Sequence, residues 1–141
     1  MRTPQQSAPA WMTAEVGFAA DRGGTGIAYA DVSGRGQKRL LRVPFRVRAR
    51  GAEDRVIGYA ALTAIVHALR RWHVERVRLA VNDPALVADL GGHREVPGSL
   101  VMPYVRLRCM LNQLAEFDVI EASENDLTQR ARAEVALHVA A

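Results

Sequence analysis

The apolar positions of this chain change period several times, and each change marks a new element. From residue 14 the pattern alternates, placing Val16, Phe18 and Ala20 on one face of a strand that ends at Asp21. Arg22-Gly-Gly-Thr25 follows as a flexible turn, because glycine takes conformations other residues avoid. Residues 26–32 resume a strand, and Ser33-Gly-Arg-Gly36 is a second turn signal. The next run alternates cleanly. Leu41, Val43, Phe45, Val47 and Ala49 face one way, while Arg42, Arg46, Arg48 and Arg50 face the other. Pro44 interrupts the arginines and points to an edge strand or a bulge, since it cannot donate to a ladder. Consecutive strands with such short connections predict an antiparallel meander.

The period then lengthens. Residues 53–72 read as a helix that is apolar around much of its girth, through Val56, Ile57, Ala60, Ala61, Ala64, Ile65 and Leu69. A helix of that kind is buried against a sheet rather than laid on a surface. Residues 77–81 form a short apolar strand ending in Asn82-Asp83. Pro84 suits a first helical turn, and a short helix runs to Leu90 before Gly91-Gly92 stops it. Residues 93–102 read as a loop. Residues 103–117 read as an amphipathic helix with Leu107, Met110, Leu111 and Leu114 inward, and 118–122 as the last strand. Ser123-Glu-Asn-Asp126 is a capping signal for a final helix reaching about His138.

The predicted order is β-β-β-α-β-α-α-β-α, an α/β arrangement of residues 14–141 preceded by a loose polar tail at 1–13. A helical crossover from the meander makes the fourth strand parallel to the first. That topology predicts Asp21 and Asp83 side by side at neighbouring strand ends.

Composition narrows the function classes. A chain of 141 residues is long enough for a core without disulfides or structural metal. The single cysteine, Cys109, excludes an internal disulfide framework and suits a reducing cytoplasm. No apolar run has the length of a membrane span, and no signal-peptide pattern opens the chain. Net charge is +4, and Lys38 is the only lysine, so the positive charge is almost all arginine. Such a balance has an ordinary source in a GC-rich genome. It also suits polyanionic partners, because arginine binds phosphate in a bidentate manner. No Cys/His zinc spacing and no Gly-x-x-x-x-Gly-Lys loop is present.

Several stretches taken in order resemble the ribonuclease H family. They are Ala20-Asp21-Arg-Gly-Gly-Thr-Gly26, Tyr59-Ala-Ala-Leu62, Val81-Asn-Asp83-Pro-Ala-Leu-Val87, Phe117-Asp-Val-Ile-Glu121 and Asn125-Asp-Leu-Thr-Gln129. The resemblance covers residues 14–139 and implies a five-stranded mixed sheet flanked by helices. It also implies cleavage of the RNA strand of an RNA–DNA hybrid by two magnesium ions held on four carboxylates. Two close hard cations need that many anionic oxygens around them. Under the resemblance, Asp21 and Asp83 are the catalytic, metal-holding carboxylates, and Arg22, Gly23, Gly24, Thr25 and Asn82 contact nucleic acid. Gly58 and Gln129 fall where the other two carboxylates belong, Pro84 where a serine is usual, and His93 is the one match for a loop histidine. Among substitutes, Glu53 and Asp54 are expected at the wrong height or face. Asp126 is expected to be able to lean in, and Glu124 is a weaker candidate. Mg2+ or Mn2+ is therefore the cofactor if the site is active, and none is needed if it is not.

The remaining residues carry two readings each. The arginines of the third strand could track a phosphate backbone or serve as a solvated edge. Arg70 and Arg71 suit a helix C-terminus, with His73 beside them. Trp72, His67 and Cys109 are expected in the core, and Trp11 is a candidate partner contact. The leading expectation is a ribonuclease H-like nucleic-acid-binding protein with an incomplete metal site and weak or absent cleavage. The alternatives are an active atypical Mg/Mn ribonuclease using Asp21, Asp83 and a substitute acid, and a protein-interaction module with no nucleic-acid role.

Overall fold

A computed structural model describes residues 10–48, 53–92, 95–123 and 125–140, with residues 138–140 described by backbone alone. The expectations for residues 1–9, Ala49, Arg50, His93 and Glu124 lie outside the described residues. Five strands and four helices follow the predicted order: β1 (Met12–Ala20), β2 (Thr25–Gly34), β3 (Gln37–Arg46), α1 (Asp54–Arg71), β4 (Arg76–Val81), α2 (Pro84–Leu90), α3 (Val101–Leu111), β5 (Glu116–Glu121) and α4 (Asp126–Ala140). The strands form one mixed sheet in the order β3-β2-β1-β4-β5. Pairing is antiparallel through the meander and parallel between β1 and β4 and between β4 and β5. Pro44 stands on an edge strand, where its missing N–H breaks no central ladder.

Strand alternation divides the side chains between two cores. Ala28, Ala30 and Val32 of β2 join Ala14 and Val16 of β1 on the face covered by α1, α2 and α3. Ile27 and Tyr29 point to the other face, where Ala131 and Val135 of α4 cover them. The second core is small and has a polar clasp. Tyr29 donates its hydroxyl to Glu134, and Arg42 of β3 donates Nε to the same carboxylate at 2.7 Å. One arginine of the β3 stripe is thus tied to α4 rather than free for a ligand.

α1 buries Gly58, Tyr59, Leu62, Ile65, Val66 and Leu69, the spacing of a single helical face. It ends where Trp72 caps it and His73 takes a left-handed φ of 61°, so that the His73 and Val74 amides return to the Arg70 and Leu69 carbonyls. The tryptophan is not in the core as expected. It stands 43% exposed at the turn, with the Arg39 guanidinium 4.3 Å from its ring centre. His67 and Cys109 are also exposed, against expectation, because each lies off the buried stripe of its helix. Trp11 is half-buried, and Arg78 lies 5.5 Å from its ring centre.

Three boundaries move. β1 starts at Met12, earlier than the alternation indicates, because Met12 pairs with Val77 of β4. α3 starts at Val101, so Pro103 sits within its first turn, where a missing N–H breaks no helical bond. The same helix stops at Leu111. Leu114 is buried from the following turn, and Phe117 begins the inward alternation of β5 rather than ending a helix.

Candidate functional site

A cleft of about 280 Å³ opens at the carboxyl ends of β1 and β4, lined by Phe18, Asp54, Ile57, Asn82, Asp83, Thr128 and Arg132 among others. Four segments deliver these side chains, and β1 brings Phe18. β4 ends and passes through Asn82-Asp83 into α2, α1 begins at Asp54, and α4 begins beside β1. Gly17 permits that last approach. A Cβ there would stand 2.4 Å from the Thr128 backbone nitrogen, so a side chain on β1 would push α4 away.

The parallel register decides which residue faces Asp83. Val16 pairs with Val81 at the end of the ladder, and the same offset carried two residues on sets Phe18 level with Asp83. Asp21 lies three residues beyond Phe18, roughly 10 Å further at strand rise. Asp83 lines the cleft and Asp21 does not: the part of β1 beside Asp83 there runs from Phe18 to Ala20, short of Asp21. The reason is a tight hairpin. Asp21 accepts the Thr25 amide on Oδ1 at 3.0 Å, and its own amide donates to the Thr25 carbonyl at 2.9 Å. Gly24, at φ 90°, accepts from the Val47 amide at 2.7 Å and fastens the turn to the end of β3. Of the residues expected to meet nucleic acid, Arg22 and Gly23 are exposed on this turn, Gly24 is buried within it, Thr25 starts β2, and Asn82 lines the cleft.

Asp83 also has a backbone partner. It is the N-cap of α2 and accepts the Leu86 amide on Oδ1 at 3.2 Å, with Pro84 in the first turn. Both aspartates thus accept a backbone N–H, a task a neutral asparagine can perform.

Gly58 sits where the resemblance puts a helical carboxylate, and the surrounding space is taken. A Cβ at Gly58 would meet Leu86 Cδ2 at 2.9 Å and Phe18 Cζ at 3.3 Å. The glycine makes room for two apolar side chains. Gln129 is exposed and does not line the cleft; its neighbours Thr128 and Arg132, one helical turn apart, do. Asp126, the possible substitute acid, is exposed and does not line the cleft either. Asn125 performs the capping there, accepting the Leu127 amide at 2.9 Å.

One substitute acid was placed wrongly by its spacing. Asp54 precedes Gly58 by four residues, and it lines the cleft with Asp83. The signal was available, because residues four apart share a helical face. Phe18 and Arg132 were missed for another reason. Neither is of a residue type that a search for metal ligands selects, and the register that brings Phe18 to Asp83 is a long-range property.

The donor set does not fit a pair of magnesium ions. Among the described residues no group of three or more acidic, histidine or cysteine side chains converges. Asp54, Asp83 and Arg132 all line the cleft, and the arginine already supplies positive charge there. Two divalent cations need more anionic oxygen than this.

A buried polar cluster joins α1 to α2. Asp89 of α2 is fully buried, pairs with Arg55 and accepts the Tyr59 hydroxyl at 2.7 Å. Burial raises the Tyr59 phenol above its ordinary pKa, and the Asp89 carboxylate raises it further.

Neither a family model nor a curated protein matches the chain. Solved structures do. The N-terminal RNase H domain of rv2228c from Mycobacterium tuberculosis, solved fused to maltose binding protein, superposes with a TM-score of 0.71 at 13% identity, over 92% of this chain and 99% of that one. RNase H1 from the halophilic archaeon Halobacterium salinarum NRC-1 gives 0.68 at 20% identity, over 91% and 98%. LC11-RNase H1 in complex with an RNA/DNA hybrid gives 0.64 at 12% identity, over 92% and 99%. With its meander, its parallel β1–β4–β5 pairing and its flanking helices, the chain has the ribonuclease H-like fold.

Proposed function

We propose that this ribonuclease H-like domain binds a nucleic-acid duplex, an RNA–DNA hybrid foremost, without two-metal cleavage of it. The observation that carries the reading is the apolar contact of Phe18 and Leu86 at Gly58, where a helical carboxylate would otherwise project toward Asp83. An active two-metal centre needs anionic oxygen at that point. Binding draws support from other features. A structural neighbour was solved with an RNA/DNA hybrid. Arg132 and Thr128 line the cleft, Asn82 lies on its other side, and Arg22 is exposed on the adjoining hairpin. Guanidinium, hydroxyl and amide groups at a strand edge are donors for phosphate oxygens, and they position a backbone without reading its sequence.

Hybrid binding measured by fluorescence anisotropy over a salt series, beside a cleavage assay with Mg2+ and with Mn2+, tests the proposal. Affinity should fall steeply with salt, as phosphate neutralisation requires. Arg132→Glu should weaken it, and no product should form with either metal. Metal-dependent cleavage that Asp83→Asn abolishes would sink the reading and favour the active alternative.

A further inference from the structure

A second depression, of about 530 Å³, lies between residues 44–48 at the end of β3, one side of α1, and α3. It shares no lining residue with the cleft at the strand ends. Its floor is apolar, built from Val56, Ala60 and Ala64 of α1 and Met110 of α3. Its charged lining is of one sign. Arg46, Arg48 and Arg106 border it and, among the described residues, no carboxylate does. The apolar surface also continues past the groove over α3, where Val101, Met102 and Val105 are 41%, 71% and 45% exposed.

We propose that this groove docks an acidic amphipathic segment of a partner protein, one that presents large apolar side chains between aspartates or glutamates. The proposal is independent of the nucleic-acid reading. Apolar anchors remove the floor and the exposed α3 side chains from water, and the flanking carboxylates meet guanidiniums able to bind them in a bidentate manner. Methionine suits such a floor, because its unbranched, polarisable side chain adapts to different partners. A nucleic-acid backbone is a poorer occupant, since its phosphates gain nothing from an aliphatic floor. A small ligand is poorer too, because the apolar surface runs on beyond the groove. The chain's own segment at 49–52, Ala-Arg-Gly-Ala, offers neither a large apolar side chain nor an acid.

The test uses the full chain and a fluorescein-labelled peptide of glutamate, alanine and leucine, with leucines at helical spacing. Anisotropy should show saturable binding, and the same peptide with lysine for glutamate should fail to bind. Met102→Asp and Arg106→Glu alter exposed side chains, so their circular dichroism should match wild type. Each should weaken binding at least about tenfold, the size of a single interface anchor. The combined Arg46→Glu, Arg48→Glu and Arg106→Glu variant should reverse the preference toward the lysine peptide. Equal binding of both peptides, or affinity unchanged by Met102→Asp, would overturn the proposal. So would competitive displacement of the peptide from wild type by an RNA–DNA hybrid together with loss of hybrid affinity in the triple-glutamate variant, which would assign the groove to nucleic acid.

Discussion

Tyr59 of α1 donates its hydroxyl to Asp89 of α2 at 2.7 Å, and the accepting carboxylate is shielded from solvent. Arg55, one turn earlier on α1, supplies the counter-charge. The cluster pins a helix of seven residues to a much longer one. Tyr59→Phe removes a hydrogen bond to a buried charge and should cost about 1–3 kcal/mol in urea unfolding. Asp89→Leu together with Arg55→Met should cost less than Asp89→Leu alone, because the single change leaves Arg55 facing an apolar partner.

The same tyrosine predicts an alkaline weakness. Its phenol holds the proton more tightly folded than unfolded, through burial first and Asp89 second. Its contribution is complete below the unfolded tyrosine pKa near 10.0 and is lost as pH rises above it. Melting temperatures from pH 8 upward, taken for wild type and Tyr59→Phe, should therefore converge on the alkaline side of about 10. Tyr29 and Tyr104 remain in both proteins, so the difference isolates Tyr59.

Asp83 can be separated into cap and metal ligand. As a cap, it is replaceable by asparagine, whose side-chain oxygen accepts the same Leu86 amide. Asp83→Asn should leave stability and hybrid affinity near wild type, whereas Asp83→Ala should lose about 1 kcal/mol. Calorimetry with Mn2+ on wild type and Asp83→Asn gives the contrary outcome its chance: saturable binding removed by the asparagine would assign the carboxylate to a metal.

Gly17 sets the distance of α4 from the sheet. Its missing side chain admits the Leu127–Thr128 backbone, and backbone does not move aside as a side chain can. Gly17→Ala should destabilise by about 1–3 kcal/mol, the usual cost of overpacking. It should also loosen the face of the cleft that bears Thr128 and Arg132, lowering hybrid affinity even where the fold is retained. Parallel thermal melts and anisotropy titrations check both.

The fold was legible because it rests on local periodicity. Val16, Phe18 and Ala20 alternate as written, and the inward stripe of β3 through Leu41, Val43 and Phe45 joins the core as its pattern requires. The helices of residues 53–72 and 84–90 were visible from their apolar spacing and their stops. α3 was less legible, since Leu114 and Phe117 keep helical spacing although the chain has already turned into a strand. The site was harder. Which residue of β1 faces Asp83 depends on the offset between strands far apart in sequence, and a short hairpin moved Asp21 off that line. Asp21 drew attention by its chemistry; Phe18 holds the position.

The packing of Phe18 and Leu86 at Gly58 has a consequence for how this protein could change. Introducing glutamate at 58 alone would drive it into Phe18 and Leu86. Introducing aspartate at 18 alone would add a third carboxylate to a cleft already lined by Asp54 and Asp83. Shortening Phe18 would relieve only one of the two contacts, because Leu86 is the nearer. The interior of the cleft is thus set by three mutually packed positions, Phe18, Gly58 and Leu86, and a carboxylate on α1 asks for change at more than one of them.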